Sequence, residues 1–215
     1  MQSLTINYIQ KVQSMTHNVG IYLYNEVEVL DFAGPFEVFS TASRVNARIE
    51  TESNNLFHVF TVAENMNPIF ARGGLQIVPE HSISDHPDIN LLIIPGGIIR
   101  DELEKEHVVS WVINSSNNSN ITGSVCTGAF LLAKAGLLKS KSATTHWEDI
   151  DDLKSMFPDI IIRQNVRWVD EGAVVTAAGI SAGIDMSLHL ISRIEGENLA
   201  NLTAKQMEFE WTKNP

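Results

Sequence analysis

The sequence predicts an α/β protein built on a central, mostly parallel sheet. Three observations predict it: short apolar runs rich in β-branched residues recur along the chain, a turn and a helical pattern follow most of them, and INLLIIPGG at residues 89 to 97 is apolar almost without a break. Strands alternating with helices are the pattern of βαβ units. A strand with no polar face belongs at the centre of a sheet covered on both sides.

The elements follow in order. VGIYLY (19 to 24) is the first strand and leads through NEVEVLDFAG into the helix PFEVFSTASRV. Pro35 is expected at the first position of that helix, where its missing N–H costs no hydrogen bond. FHVFTVA (57 to 63) is the second strand, and NPIFARGGLQIVPE reads as a hairpin with Gly73 and Gly74 at the turn. After the central strand comes a helix over roughly residues 101 to 114, then NSSNNSN as an exposed loop. ITGSV (121 to 125) precedes Cys126 and the helix TGAFLLAKAGLL. SATTHW begins a short strand, EDIDDLKSMF is an amphipathic helix, and IIIRQ, VRWVD and AVVTAA are strands, the last two joined at Glu171-Gly172. GISAGIDMSLHLISRI and NLANLTAKQMEFEW close the chain as helices. With no internal repeat and no linker, residues 18 to 215 read as one domain. Residues 1 to 17 read as an N-terminal tail, with Met15 an alternative start.

Composition removes several classes of function. Of 215 residues, 44% are hydrophobic and 19% charged, and no run approaches the roughly 18 apolar residues of a membrane span. The first residues lack the basic and apolar regions of a secretory signal. A net charge of -11 with no basic cluster repels a phosphate backbone, so nucleic acid is not expected as a direct partner. The single cysteine forms no intrachain disulfide or cysteine-based zinc site, which suits a reduced, cytoplasmic setting. His81 and His86 flank a polar SISD turn and read as solvated loop residues rather than metal ligands. No metal is expected.

Ligands of open parallel sheets bind beyond the carboxyl ends of the strands, so the residues just after each strand are the ones to inspect. Asp31, Gly96-Gly97, Cys126-Thr127-Gly128, His146-Trp147 and Gly179-Ile180-Ser181 all occupy such places. Cys126, in S-V-C-T-G, would sit on a strand-to-helix turn like the nucleophile of G-x-S-x-G hydrolases. The helix terminus there is expected to lower the thiol pKa. The alternative is an inert, buried cysteine.

Asp31, flanked by Leu30 and Phe32, is expected to be buried and protonated near neutrality, able to donate a hydrogen bond to a thiolate. It is also placed to cap the helix that follows. Glu26 and Glu28 read as solvated charges. Gly96 and Gly97 either turn the chain or offer N–H groups to developing negative charge. His146 is an acid–base partner for the thiol or a structural histidine. Ile98, Trp147 and Ile180 either line an apolar substrate pocket or pack against neighbours.

With VEVLDFAGPFEVF, LLIIPGG, SVCTGAFLLAKAGLL, ATTHW and GISAGID in this order, residues 18 to 210 resemble the DJ-1/PfpI superfamily. The resemblance is greatest to its isocyanide-hydratase-like branch and to the amidotransferase-like domains of AraC-type regulators. It implies a flavodoxin-like three-layer sandwich, a homodimer, Cys126 as nucleophile, Asp31 as its carboxylic acid, and Gly97 with Thr127 around the oxyanion-binding backbone. His146 matches the T-T-H position. Thr127 stands where the protease branch has histidine after the cysteine, so a Cys-His-Glu triad is not implied. The implied reaction is hydration of an isocyanide, a small-molecule substrate, without a metal or organic cofactor. The alternatives are a redox-sensing protein or a ligand-binding regulatory domain. Those regulators carry a DNA-binding region after this domain and this sequence stops at Pro215, which tilts the expectation toward an enzyme.

Overall fold

The computed structural model describes residues 16–49 and 55–214, so the proposed tail, except Thr16 and His17, lies outside the described residues, as does Met15. The order begins β1 (His17–Leu23), α1 (Val29–Ile49), β2 (Phe57–Ala63), β3 (Ile69–Phe70), β4 (Gln76–Ile77), β5 (His81–Ser82) and β6 (Leu91–Ile94). It continues with α2 (Arg100–Leu103), α3 (Glu106–Asn118), β7 (Ile121–Val125), α4 (Gly128–Lys134), β8 (Ser142–Ala143), α5 (Ile150–Met156), β9 (Ile161–Ile162), β10 (Trp168–Asp170), β11 (Val174–Ala177), α6 (Ala182–Glu195) and α7 (Glu197–Gln206).

Seven strands form the central sheet in the order β10-β11-β7-β6-β1-β2-β5, and only the β10–β11 pair is antiparallel. Leu91 to Ile94 of β6 are all buried between β1 and β7, which is why this stretch carries no polar residue. On one side α1, α6 and α7 pack together, and on the other α2, α3 and α4 do, giving helices, sheet, helices. In α1, Phe32, Pro35, Val38, Phe39, Ala42 and Val45 form the buried stripe at helical spacing. Each large apolar side chain buried in this way stabilises the fold by roughly 1.5–3 kcal/mol. No helix among the described residues is long and apolar enough to cross a membrane.

The chain order around β1 places the site. β2 lies on one side of β1 and β6 on the other, so consecutive connections leave β1 in opposite directions and open a crevice at the carboxyl ends of β1 and β6. β7 is next to β6, which puts the residue after β7 beside that crevice.

Three expectations are corrected. Pro35 does not open α1; the helix starts six residues earlier at Val29, and Pro35 lies inside it among the buried residues. The polar NSSNNSN is not wholly a loop, because α3 runs to Asn118. Local bonds absorb its polar groups: Ser119 Oγ donates to the Ser115 carbonyl at 2.7 Å and Asn118 Nδ2 to that of Asn114 at 2.8 Å. Finally, His81 and His86 are half-buried rather than solvated. His86 Nδ1 donates to the Pro87 carbonyl at 2.8 Å and Nε2 accepts from the Trp111 indole at 2.9 Å, so both ring nitrogens are engaged. The hairpin does form, β3 pairing antiparallel with β4 around Arg72–Gly74.

Candidate functional site

Cys126 follows β7 immediately and has a φ of 56°, a left-handed conformation that non-glycine residues rarely adopt. Its N–H is shared between the carbonyls of Ala177 and Ala178, each at 3.2 Å, and its own carbonyl accepts the Thr145 hydroxyl at 2.8 Å. The elbow is thus over-determined from neighbouring strands and loops, the condition under which backbone strain persists.

The loop after β1 is zipped to the loop after β6. Val27 and Gly97 form an antiparallel bridge, the Ile98 N–H donates to Glu26 at 3.0 Å, and that of Glu28 donates to Gly96 at 2.8 Å. This brings Asp31, fully buried in the first turn of α1, against Gly96, whose N–H donates to its Oδ2 at 2.9 Å. The carboxylate therefore reaches across to another loop and does not cap its own helix. Among the described residues Oδ1 has no hydrogen-bond partner of normal geometry, although the Cys126 thiol is close enough to affect the titration of Asp31.

Burial is the main cause that pushes the Asp31 carboxyl up to about 7; the Gly96 N–H opposes this, Glu28 adds to it, and Cys126 and Arg72 oppose it. Because Oδ2 already accepts the Gly96 N–H, Oδ1 is the oxygen placed to carry a proton toward the thiol. The thiol expectation is corrected in sign. Burial and then the Asp31 charge push Cys126 up to about 12, against the Thr127 N–H and hydroxyl, which favour the thiolate, while Asp149 pushes it further up. Desolvation outweighs the terminus of α4, which is only seven residues long.

The two glycines are structural in a way the motif alone does not reveal. A Cβ on Gly96 would lie 2.6 Å from the Thr127 nitrogen and 2.8 Å from the Cys126 Cβ, and one on Gly97, whose φ is 140°, would lie 2.2 Å from the Glu26 carbonyl oxygen. Their N–H groups are not free for an oxyanion: that of Gly96 holds Asp31, and that of Gly97 donates to Thr127 Oγ1 at 2.9 Å. The Thr127 hydroxyl in turn donates to the Gly97 carbonyl at 2.9 Å, so it satisfies both sides of one residue.

His146 packs so closely on Gly179 that a Cβ there would fall 1.9 Å from its Cδ2. Its Nδ1 faces the carboxylates of Asp149 at 3.4 Å and Glu148 at 3.7 Å. A cavity of about 520 Å³ opens beside it, walled by Thr145, His146, Trp147, Ile150, Arg167 and Ile180 among others. Neither Cys126 nor Asp31 is part of that wall; Thr145 links the two regions through its bond to the cysteine carbonyl. Ile180, with a φ of 52°, is a β-branched residue in the left-handed region, and Trp147 is 76% exposed. Ile98 is 54% exposed and lies outside this cavity.

Sequence reasoning did not select Thr145, Asp149 or Arg167. Thr145 adjoins His146 in the chain and Asp149 follows it by three residues, which was the available signal. Arg167 is brought in by tertiary structure alone, with its guanidinium bound to the buried Asp185 and, at 3.1 Å, to the Ser181 hydroxyl. No group of three or more His, Cys, Asp or Glu side chains among the described residues is arranged to hold a metal ion.

A crevice at the sheet's switch point, a strained cysteine elbow and a buried carboxyl beside the thiol are combined here with a match to the DJ-1/PfpI family model over residues 17–193. The chain belongs to the DJ-1/PfpI family. Among DJ-1/PfpI relatives, an isonitrile hydratase from Pseudomonas putida is 30% identical over 196 residues, covering 91% of this chain and 79% of that protein. The transcriptional regulator GbdR of Pseudomonas aeruginosa is 27% identical over 198 residues, covering 92% of this chain but 52% of the regulator. This chain therefore spans about half of that regulator's length. A ThiJ/PfpI family protein from Pseudomonas syringae shares the fold with a TM-score of 0.80 at 24% identity, covering 99% of this chain and 83% of the other.

Proposed function

We propose that the protein is a cysteine-dependent hydratase that converts an isocyanide to an N-substituted formamide. The observation that carries this reading is the buried carboxyl of Asp31 beside Cys126, with its protonatable oxygen otherwise unpartnered. Likeness to an isonitrile hydratase supports it.

The pair works with one negative charge between its two members. The reactive form is the minor tautomer, with the proton on Asp31 and the charge on sulfur: its thiolate attacks the terminal isocyanide carbon, forming the C–S bond, and Asp31 gives its proton to that carbon. The product is a thioimidate, R–N=CH–S–Cys126, and Asp31 is now a carboxylate. Water then adds to the same carbon, its proton passing by way of Asp31 to nitrogen. When the carbonyl forms, Asp31 takes the hydroxyl proton, the C–S bond breaks and the thiolate leaves. The sum is R–NC plus water giving R–NH–CHO, with both residues restored. Thr127 holds the Gly97 loop and places its own N–H beside the sulfur. Gly96 orients the acid.

The test is formamide production from cyclohexyl isocyanide, followed by mass spectrometry or infrared loss of the isocyanide band. Turnover that vanishes in Cys126→Ala and drops at least a hundredfold in Asp31→Asn supports the reading; a wild-type protein without turnover overturns it. The raised thiol pKa favours one second reading, a ligand-binding domain of the regulator type with an unreactive cysteine. Reversible redox sensing, which calls for an acidic accessible thiol, finds less support at this buried site.

A further inference from the structure

We propose that Tyr24 is a positioning residue for the carboxyl of Asp31 and acts on it through the peptide unit between Pro95 and Gly96. Tyr24 ends the run of buried residues from β1, and its hydroxyl donates to the Pro95 carbonyl at 3.2 Å. The other side of that same peptide unit is the Gly96 N–H, which donates to Asp31 Oδ2 at 2.9 Å. Phenol, peptide and carboxyl thus form one chain, O–H to C=O and N–H to carboxyl oxygen.

Hydrogen bonds in series polarise one another, and a peptide whose carbonyl is engaged is a better N–H donor. Inside a dry site this preferentially stabilises the charged form of the acceptor. Tyr24 therefore helps set how readily Asp31 gives up its proton. The peptide has little freedom to rotate away from this role. The next peptide unit is pinned as well, the Gly96 carbonyl accepting the Glu28 N–H at 2.8 Å, and a Cβ at Gly96 would meet the Thr127 nitrogen at 2.6 Å.

The groups facing Asp31 come from every surrounding element: Glu28 from its own loop, Arg72 from the hairpin turn, Cys126 from the elbow and Tyr24 from the end of β1. Glu28 and Arg72 act through space as charges, Cys126 acts through its neighbouring thiol, and Tyr24 acts through the bonded peptide. A phenylalanine at position 24 would fill the same apolar space and break only the chain of hydrogen bonds.

The experiment follows the carboxyl of Asp31 itself, by carbon NMR of ¹³C-labelled aspartate against an Asp31→Asn blank, so it does not depend on any turnover. In Tyr24→Phe the midpoint is expected to move up by about half a unit or more, roughly a threefold change in proton affinity. Incorporation of 2,3-difluorotyrosine at position 24, which keeps the shape and strengthens the donor, is expected to move it down. Tyr22→Phe is the control. Tyr22 stacks on Tyr24 at 5.8 Å but donates to Glu102 at 2.6 Å, away from the peptide, so its loss is expected to leave the midpoint in place. An unmoved midpoint in both position-24 variants, or an equal shift in Tyr22→Phe, overturns the proposal. If Tyr24→Phe does not fold, the fluorinated protein decides alone.

Discussion

At Asp31 and Cys126 two acids share a space with little water, and the ionisation of one opposes that of the other. Their titrations belong to the pair: one charge appears as pH rises through about 7, and the second is deferred to about 12. If the pair is catalytic, kcat/KM for an isocyanide rises with pH to a plateau with a midpoint near 7, which a pH–rate profile checks. Asp31→Asn separates reactivity from catalysis. Removing the carboxylate removes the charge that raises the thiol, so alkylation by iodoacetamide at pH 8 is expected to speed up at least severalfold. Hydration should collapse in the same variant. A slower alkylation would show that Asp31 stabilises the thiolate more than it repels it. Gly179 offers a steric prediction at this scale: an alanine Cβ would overlap the His146 ring, and Gly179→Ala is expected to cost about 1–3 kcal/mol in urea unfolding.

At the scale of elements, the loop after β6 is held to α4 by one hydroxyl. Thr127→Val keeps the shape but removes the donor and acceptor that Gly97 uses, at roughly 1–2 kcal/mol for each partly buried group left unpaired. The expected result is a loss of about 2–4 kcal/mol in stability, together with raised amide exchange at Gly97 and Ile98. The same elements show where sequence reading succeeds. β2 and β7 carry the boundaries expected of them because turn residues bracket each short run, and the site loops follow from the carboxyl-end rule. It fails where a property is made by distant residues. The helix terminus behind Cys126 is local and visible in sequence, whereas the burial and the Asp31 charge that raise the thiol come from residues distant in the chain. Pro35 misled for a related reason: a start signal near a helix is weaker than the burial of Phe32 and Asp31, which extends α1 toward the site. Arg167 gives no sign in sequence of its partner Asp185, eighteen residues on.

For the whole molecule, the site is a source of instability with a defined pH window. Folded Asp31 binds its proton with a pKa of about 7 against 3.8 for an ordinary aspartate, so between those values the folded state holds a proton that the unfolded state has lost. By linkage, stability falls as pH rises through this window, with a total of about 4 kcal/mol once both are passed. Asp170 has the opposite sign. Held below its usual value by His189, the Gly172 N–H and Arg193 against the cost of its burial, it stabilises the fold above the ordinary aspartate range and ceases to do so on acidification. The folded state is therefore expected to lose stability from both directions, with Asp31 contributing to the alkaline loss alongside Asp149 and Asp185, whose carboxyls burial also raises. Asp31→Asn removes the Asp31 share of that loss and leaves Asp170 intact. Relative to the wild type, the variant is expected to gain about 2–3 kcal/mol between pH 5 and pH 8, measured by urea unfolding at the two values. The comparison cancels every group common to both proteins. A difference that stays flat across the window would mean that the folded carboxyl titrates near 3.8, and the shared-charge account of the site would fall with it.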